Sequence, residues 1–179
     1  MLRKLQKRDA EGMLEWMHDA DIQQNFQTDM LNRDYRDVLS FIENAVTEPE
    51  EGKSIHYAIV DEKDEYLGTI SLKNVDLISK KAEYAICLRK NAQGHGIAEK
   101  ATMQLLKKAF EEFGLGRVYL NVLADNKRAI QLYQKCGFSY EGEFRRHLFL
   151  NGEYKNLRWY GILKKEYEMR RKQEKGGEK

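Results

Sequence analysis

Leu88-Arg89-Lys90-Asn91-Ala92-Gln93-Gly94-His95-Gly96-Ile97-Ala98 joins two stretches of different periodicity. Before it, 82–88 (AEYAICL) is a short apolar run of strand character. After it, Ala98, Ala101, Thr102, Leu105, Ala109 and Phe113 recur at spacings of three and four, which predicts an amphipathic helix over 96–113. Gly114 follows as a helix-ending glycine. Glycines in such a connection permit positive φ and close approach of the backbone to a ligand. The first helical turn leaves N–H groups without partners, and the helix dipole makes that end positive. Together they form an anion site whose natural ligand is a phosphate or pyrophosphate. A Walker loop requires G-K-[ST] at the helix start, where this chain has Gly96-Ile97-Ala98. A dinucleotide fingerprint requires a third glycine, where it has Glu99, and hairpin strands precede the loop in place of a parallel unit.

Outward from this segment, 117–123 (RVYLNVL) reads as a strand. Asp125 or Asn126 then caps a helix carrying Ala129, Ile130, Leu132, Tyr133 and Cys136, which Gly137 ends. The runs 138–150 and 154–163 form a hairpin across Asn151-Gly152. Toward the N-terminus, 55–60 and 66–72 form another hairpin, and 47–53 (TEPEEGK) is a loop. A short strand at 2–6 leads to Asp9, the expected N-cap of a helix with Met13, Leu14, Trp16 and Met17. Asp19 and Asp21 break that pattern, and a second helix starts near Asn32. This order implies an α/β fold, a mixed sheet with helices on both faces.

Composition narrows the class. Lys plus Arg is 31 and Asp plus Glu is 29, a net charge of +2, so nothing in the balance points to nucleic acid. With 41% hydrophobic and 11% aromatic residues, the chain is expected to fold around a core. No apolar run nears the ~20 residues of a membrane helix, and MLRKLQKRDAEG is too polar for a secretory signal. Cys87 and Cys136 form no C-x-x-C and are expected as free buried thiols in a reducing compartment, which suits a cytoplasmic protein. His18, His56, His95 and His147 show no metal-ligand spacing, so no metal is expected. One domain is expected over 1–163. A charged extension follows at 164–179, with seven basic and four acidic side chains, read as a short helix fraying into a disordered tail.

Gln93-Gly94-His95-Gly96-Ile97-Ala98 also fits Q/R-x-x-G-x-G/A, and there the chain resembles the acetyl-CoA-binding motif of the GNAT acetyltransferase superfamily. Asn121-Val122-Leu123-Ala124-Asp125-Asn126, Ala129-Ile130 and Leu132-Tyr133-Gln134-Lys135-Cys136-Gly137-Phe138 are similar to its second motif, N-x-x-A-x-N-x-x-A-I-x-L-Y-x-K-x-G-F. RRHLFLNGEYKNLRWYGILKKEY further resembles the branch with ribosomal-protein N-terminal, spermidine and nucleotide-aminosugar acetyltransferases. The resemblance implies a GNAT fold: a central mixed, mostly antiparallel sheet with a V-shaped splay, flanked by about four helices. It implies acetyl-CoA as cosubstrate, without a metal. The acetyl group would pass to a primary amine by direct attack in a ternary complex. That amine would be a small or nucleotide-linked molecule, or a protein N-terminus. A homodimer stays open, and neither nucleic acid nor a membrane is expected as a partner.

Residue roles follow from the same resemblance. Ile86 and Leu88 would offer backbone groups to the pantetheine arm. Arg89, Gln93, Gly94, His95, Gly96, Ile97 and Ala98 would surround the pyrophosphate, chiefly through amides. Asn126 would cap its helix and touch the CoA chain, and Asn121 would be a further contact or simply a strand residue. Tyr133 would protonate the departing thiolate, because a phenol of pKa ≈ 10 keeps its proton at neutral pH. Glu83, beside the splay, is the candidate base for the acceptor ammonium, or equally an exposed strand residue. Acceptor specificity is expected in the first two helices and the closing hairpin, with Trp16, His18, Phe26, Tyr57, Arg145, Arg146 and Tyr154. Two rival readings stand beside this one. A non-catalytic acyl-CoA sensor would not need Tyr133, and a nucleic-acid binder rests on the basic tail alone.

Overall fold

The computed structural model describes residues 1–26 and 30–176. In chain order its elements are β1 (Leu2–Arg3), α1 (Ala10–Met17), α2 (Ala20–Gln23), α3 (Tyr35–Asn44), β2 (Ile55–Val60), β3 (Tyr66–Asp76) and β4 (Lys81–Leu88). Then come α4 (Ile97–Lys107), β5 (Arg117–Leu123), α5 (Lys127–Lys135), β6 (Ser139–Leu150), β7 (Glu153–Leu163) and α6 (Lys164–Gly176). The seven strands form one sheet in the order β1-β2-β3-β4-β5-β7-β6. Every neighbouring pair is antiparallel except β4 and β5. Those two run parallel and pair only through Lys81–Glu83 against Arg117–Tyr119. Beyond Glu83 they diverge, which is the expected V-shaped splay.

Local chemistry explains where boundaries differ from the sequence pattern. Asp19 does not end structure: its carboxylate accepts the amides of Asp21 and Ile22 and so opens the short helix α2. With α2 and α6 the described residues hold six α-helices rather than about four. Helix α3 begins at Tyr35 and not near Asn32, because Asp34 and Asp37 form a reciprocal capping box. Asp9 is not a side-chain cap. It is 1% exposed and accepts two bonds from the Arg3 guanidinium (2.7 and 2.8 Å) and one from the Gln6 amide (2.8 Å). β1 ends at Arg3, well short of the strand expected over 2–6. Asn151 (φ 52°) and Gly152 (φ 81°) both take positive φ, the turn that Asn-Gly favours in a hairpin.

Period-two alternation divides the side chains of β2, β3 and β4 between two cores. Ile55, Tyr57 and Ile59 share one core with Leu105 of α4, Leu120 of β5 and Ile130 of α5. Ala58 and Val60 face α1 and α3, against Met13, Trp16 and Val38. The helix α6 packs on the body through Tyr167, 3% exposed, whose ring meets Phe110 at 5.1 Å and whose hydroxyl donates to Glu111 (2.9 Å). The tail expected to fray beyond it, 177–179, lies outside the described residues. Cys87 and Cys136 are free and buried.

Candidate active site

Loss of β4–β5 pairing after Glu83 leaves one edge of β4 open. A cavity of about 1220 Å³ follows this cleft and reaches both faces of β4. On one side it is lined by Gly94, Gly96, Ala98, Asn126, Arg128 and Tyr133; on the other by Met13, Trp16, Phe26, Phe41, His56 and Lys73. Ile86, Leu88, Gln93 and Ile97 also line it.

Gly94 (φ 89°) and Gly96 (φ 73°) take left-handed conformations, and a Cβ on either would meet nothing within 4 Å. Conformation, not crowding, therefore requires glycine here. The open space lies before the first turn of α4, whose amides Gly96 cannot cap with a side chain. This is a cradle into which an anionic group fits. Gln93 braces the loop, donating to the Leu88 carbonyl (3.2 Å) and accepting from Arg128 (2.7 Å). The Thr102 hydroxyl donates to the Ala98 carbonyl one turn back in α4 (2.6 Å) and ties the helix to β4 through the Tyr84 hydroxyl (2.7 Å).

The side chains of two residues expected around the pyrophosphate do not line the cavity. Arg89 turns toward α1, binding Glu15 (2.6 Å), Glu65 (3.3 Å) and the Tyr66 carbonyl (3.0 Å). Like Arg89, the exposed His95 is absent from the cavity lining. The cation beside the glycine loop is Arg128, which the motif reading missed. It lies two residues after Asn126, on the first turn of a helix that itself borders the anion cradle; that position is the available sequence signal.

Asn126 caps α5, accepting the Ala129 amide (3.1 Å). Tyr133 follows on the same helix, 8% exposed, with ring edges on Tyr84 (5.8 Å) and Phe138 (6.1 Å). Its hydroxyl has no hydrogen-bond partner among the described residues. Burial first, then Cys136 and Cys87, raise it above an ordinary phenol, so it stays protonated at neutral pH. Glu83 and Asn121 come together across the mouth of the splay. Glu83 Oε1 accepts from Lys73 Nζ (2.8 Å) and Asn121 Nδ2 (3.3 Å), while Oε2 takes no bond from the described residues.

On the far face of β4, His56 Nδ1 meets Ser71 Oγ at 2.7 Å, and Phe41 packs edge-on against the imidazole at 4.7 Å. Burial, then Lys73, push this histidine down to about 4, so it is neutral near pH 7. Trp16 stacks on Phe26 (5.7 Å) and donates to the Tyr66 hydroxyl (2.9 Å). The other expected acceptor residues do not join them. His18 binds the Arg33 carbonyl, and Tyr57 is buried and donates to the Thr47 carbonyl. Arg146 lies over the Tyr154 ring at 4.2 Å, on the β6–β7 hairpin; neither these two nor Arg145 line the cavity. Among the described residues no group of three or more His, Cys, Asp or Glu is placed to hold a metal ion, and no helix is long and apolar enough to cross a membrane.

The chain as a whole has counterparts among known proteins. The Acetyltransferase (GNAT) domain profile matches residues 1–139, and the chain belongs to this family. A spermidine N(1)-acetyltransferase of Vibrio cholerae is 30% identical over 111 residues, 62% of this chain and 64% of that relative. That match therefore spans less than two thirds of the relative's length. An uncharacterised N-acetyltransferase, p20 of Bacillus licheniformis, is 27% identical over 93% of both chains. The crystal structure of spermidine N-acetyltransferase from Vibrio cholerae, in complex with CoA and spermine, superposes with a TM-score of 0.82 at 23% identity, covering 93% of this chain and 96% of that one. At that identity the likeness establishes the fold.

Proposed function

We propose that this chain is an N-acetyltransferase that moves the acetyl group of acetyl-CoA to a primary amine by direct attack in a ternary complex. The observation that carries this reading is a single cavity holding both a phosphate cradle, Gly94–Gly96 at the start of α4, and the unpaired hydroxyl of Tyr133. The open edge of β4 at Ile86 and Leu88 supplies backbone groups for an extended amide-bearing arm. The loop amides and Arg128 neutralise the pyrophosphate, and Asn126 borders the same path.

An alkyl ammonium of pKa near ~10 must lose a proton before it can attack. Glu83 Oε2 takes that proton, directly or through water, while Lys73 and Asn121 hold Oε1 in place. The C–N bond forms, the C–S bond breaks and Tyr133 gives its proton to the departing sulfur, while the nitrogen sheds its second proton, which returns through water to the Tyr133 oxygen. The products are an N-acetyl amide and the CoA thiol. No covalent acyl-enzyme is needed, consistent with thiols at Cys87 and Cys136 that burial makes weakly acidic and unreactive.

Release of CoA thiol from acetyl-CoA, measured across simple amines, aminosugar nucleotides and N-terminal peptides, tests the reading. Amine-dependent release is expected. Acetyl-CoA binding without release for any amine would leave the chain as an acyl-CoA sensor.

A further inference from the structure

Building on the acetyltransferase reading, we infer that the acceptor is an apolar primary amine with an oxyanion close to its nitrogen, and that Lys73 is the residue that selects it. An apolar α-amino carboxylate has this chemistry.

Charge balance is the first ground. On the α1–α3 side of the cavity, among the described residues, Arg33, Lys73 and Lys90 stand against Asp21, Asp37 and Glu83. Two of those carboxylates are already matched: Lys90 holds Asp21 at 2.6 Å and Lys73 holds Glu83 at 2.8 Å. Asp37 accepts the Asp34 amide of its own capping box. Among the described residues a linear polycation would therefore meet no surplus of carboxylates to replace the hydration of each ammonium.

The walls are the second ground. Trp16, Phe26 and Phe41, with Met13 and Met17, make this side aromatic and adaptable, suited to an apolar body.

Lys73 supplies the third. Its ammonium has three donors, and Glu83 takes one. No other protein acceptor meets it among the described residues. Lys73 and Glu83 are cross-strand partners at the mouth of the splay. An amine delivered to Glu83 Oε2 therefore has its neighbouring substituents within reach of Lys73 Nζ. A carboxylate one carbon from the nitrogen would complete the lysine's donors and form a charge-assisted bond. His56, neutral beside it, adds no competing charge.

A matched pair of probes isolates this contact: L-phenylalanine and 2-phenylethylamine differ only in the carboxylate. The wild-type kcat/KM is expected to favour phenylalanine at least tenfold over both phenylethylamine and spermidine. Lys73→Met should reduce the phenylalanine-to-phenylethylamine ratio about tenfold or more, and Lys73→Arg should largely keep it. Any loss from disturbing Glu83 affects both probes and cancels in the ratio. Calorimetry with acetyl-CoA should give the wild-type affinity for both variants, showing that they fold. A ratio that does not change in Lys73→Met, or a preference for spermidine, overturns the inference and leaves the acetyltransferase reading intact. No turnover with any amine, while acetyl-CoA still binds, overturns both.

Discussion

Tyr133 and Glu83 stand on opposite flanks of the splay, and the proposed reaction gives them opposite proton transfers. An alkyl thiol has a pKa near 8.5, so a thiolate can leave without an acid, only more slowly. Tyr133→Phe is therefore expected to lower kcat by roughly 10²-fold, the lower end of general-acid effects, with little change in acetyl-CoA affinity. An unchanged kcat, with chemistry shown to be rate-limiting, would reduce Tyr133 to a packing residue. His56 makes a prediction about stability. Folded, it titrates at about 4 rather than 6.5, so between those values the unfolded chain binds a proton that the folded chain refuses. Stability is therefore lost as pH falls through that window and is insensitive to His56 above it. The loss is at most about 3 kcal/mol. His56→Gln lacks this titration, so the denaturation midpoints of the two proteins should separate between pH 7 and pH 4.5, the wild type falling faster. Parallel curves would mean that His56 is protonated in the fold.

At the scale of elements, the loop between β4 and α4 separates two cations that look alike in sequence. Arg89 fastens the exit of β4 to α1, and Arg128 faces the cradle from α5. Arg128→Ala should weaken acetyl-CoA binding by about tenfold, with the deficit shrinking at high salt, as screening predicts for a partly exposed ion pair. Arg89→Ala should instead cost about 1 kcal/mol of stability, since its own side chain is 18% exposed but Glu15 and Glu65 are 48% and 62% exposed and solvent screens the pairs, and leave the affinity near wild type. The reverse pattern in calorimetry and denaturation would restore Arg89 as a phosphate ligand. Gly96→Trp combines a bulky side chain with φ of 73° and should abolish acetyl-CoA binding. Unchanged affinity in a folded Gly96→Trp protein would refute the cradle.

Across the whole molecule, β4 is the shared wall between two cores, and the cavity exists because β5 leaves it after three paired residues. Helix α6 braces the α4 side of this frame through Tyr167, away from the cavity. Tyr167→Ala should destabilise the protein by about 2–4 kcal/mol, as expected for emptying a buried aromatic site. The kcat of the folded fraction at low temperature should hold. A large fall in kcat without a fall in melting temperature would show that α6 acts on the site itself.

Local pattern was enough for much of this protein. The period change at Leu88, the glycine pair, the Asn126 cap, the Asn151-Gly152 turn and the strand 117–123 depend on neighbours within a few residues, so they were legible in the chain alone. So were the family motifs and the cavity-lining positions of Tyr133, Gln93 and Gly96, because those residues sit at fixed offsets from a helix start. Local pattern did not reveal which way a long side chain turns. Arg89 follows Glu15 and Glu65, 74 and 24 residues distant in sequence, and not the phosphate loop beside it. Asp9 follows Arg3 into the core instead of capping its helix. Lys73 and Glu83 meet through strand register, and His56 is held neutral by burial that only packing creates. Charge pairing, burial and the direction of the splay depend on contacts between elements far apart in the chain, and the tertiary structure alone decides them.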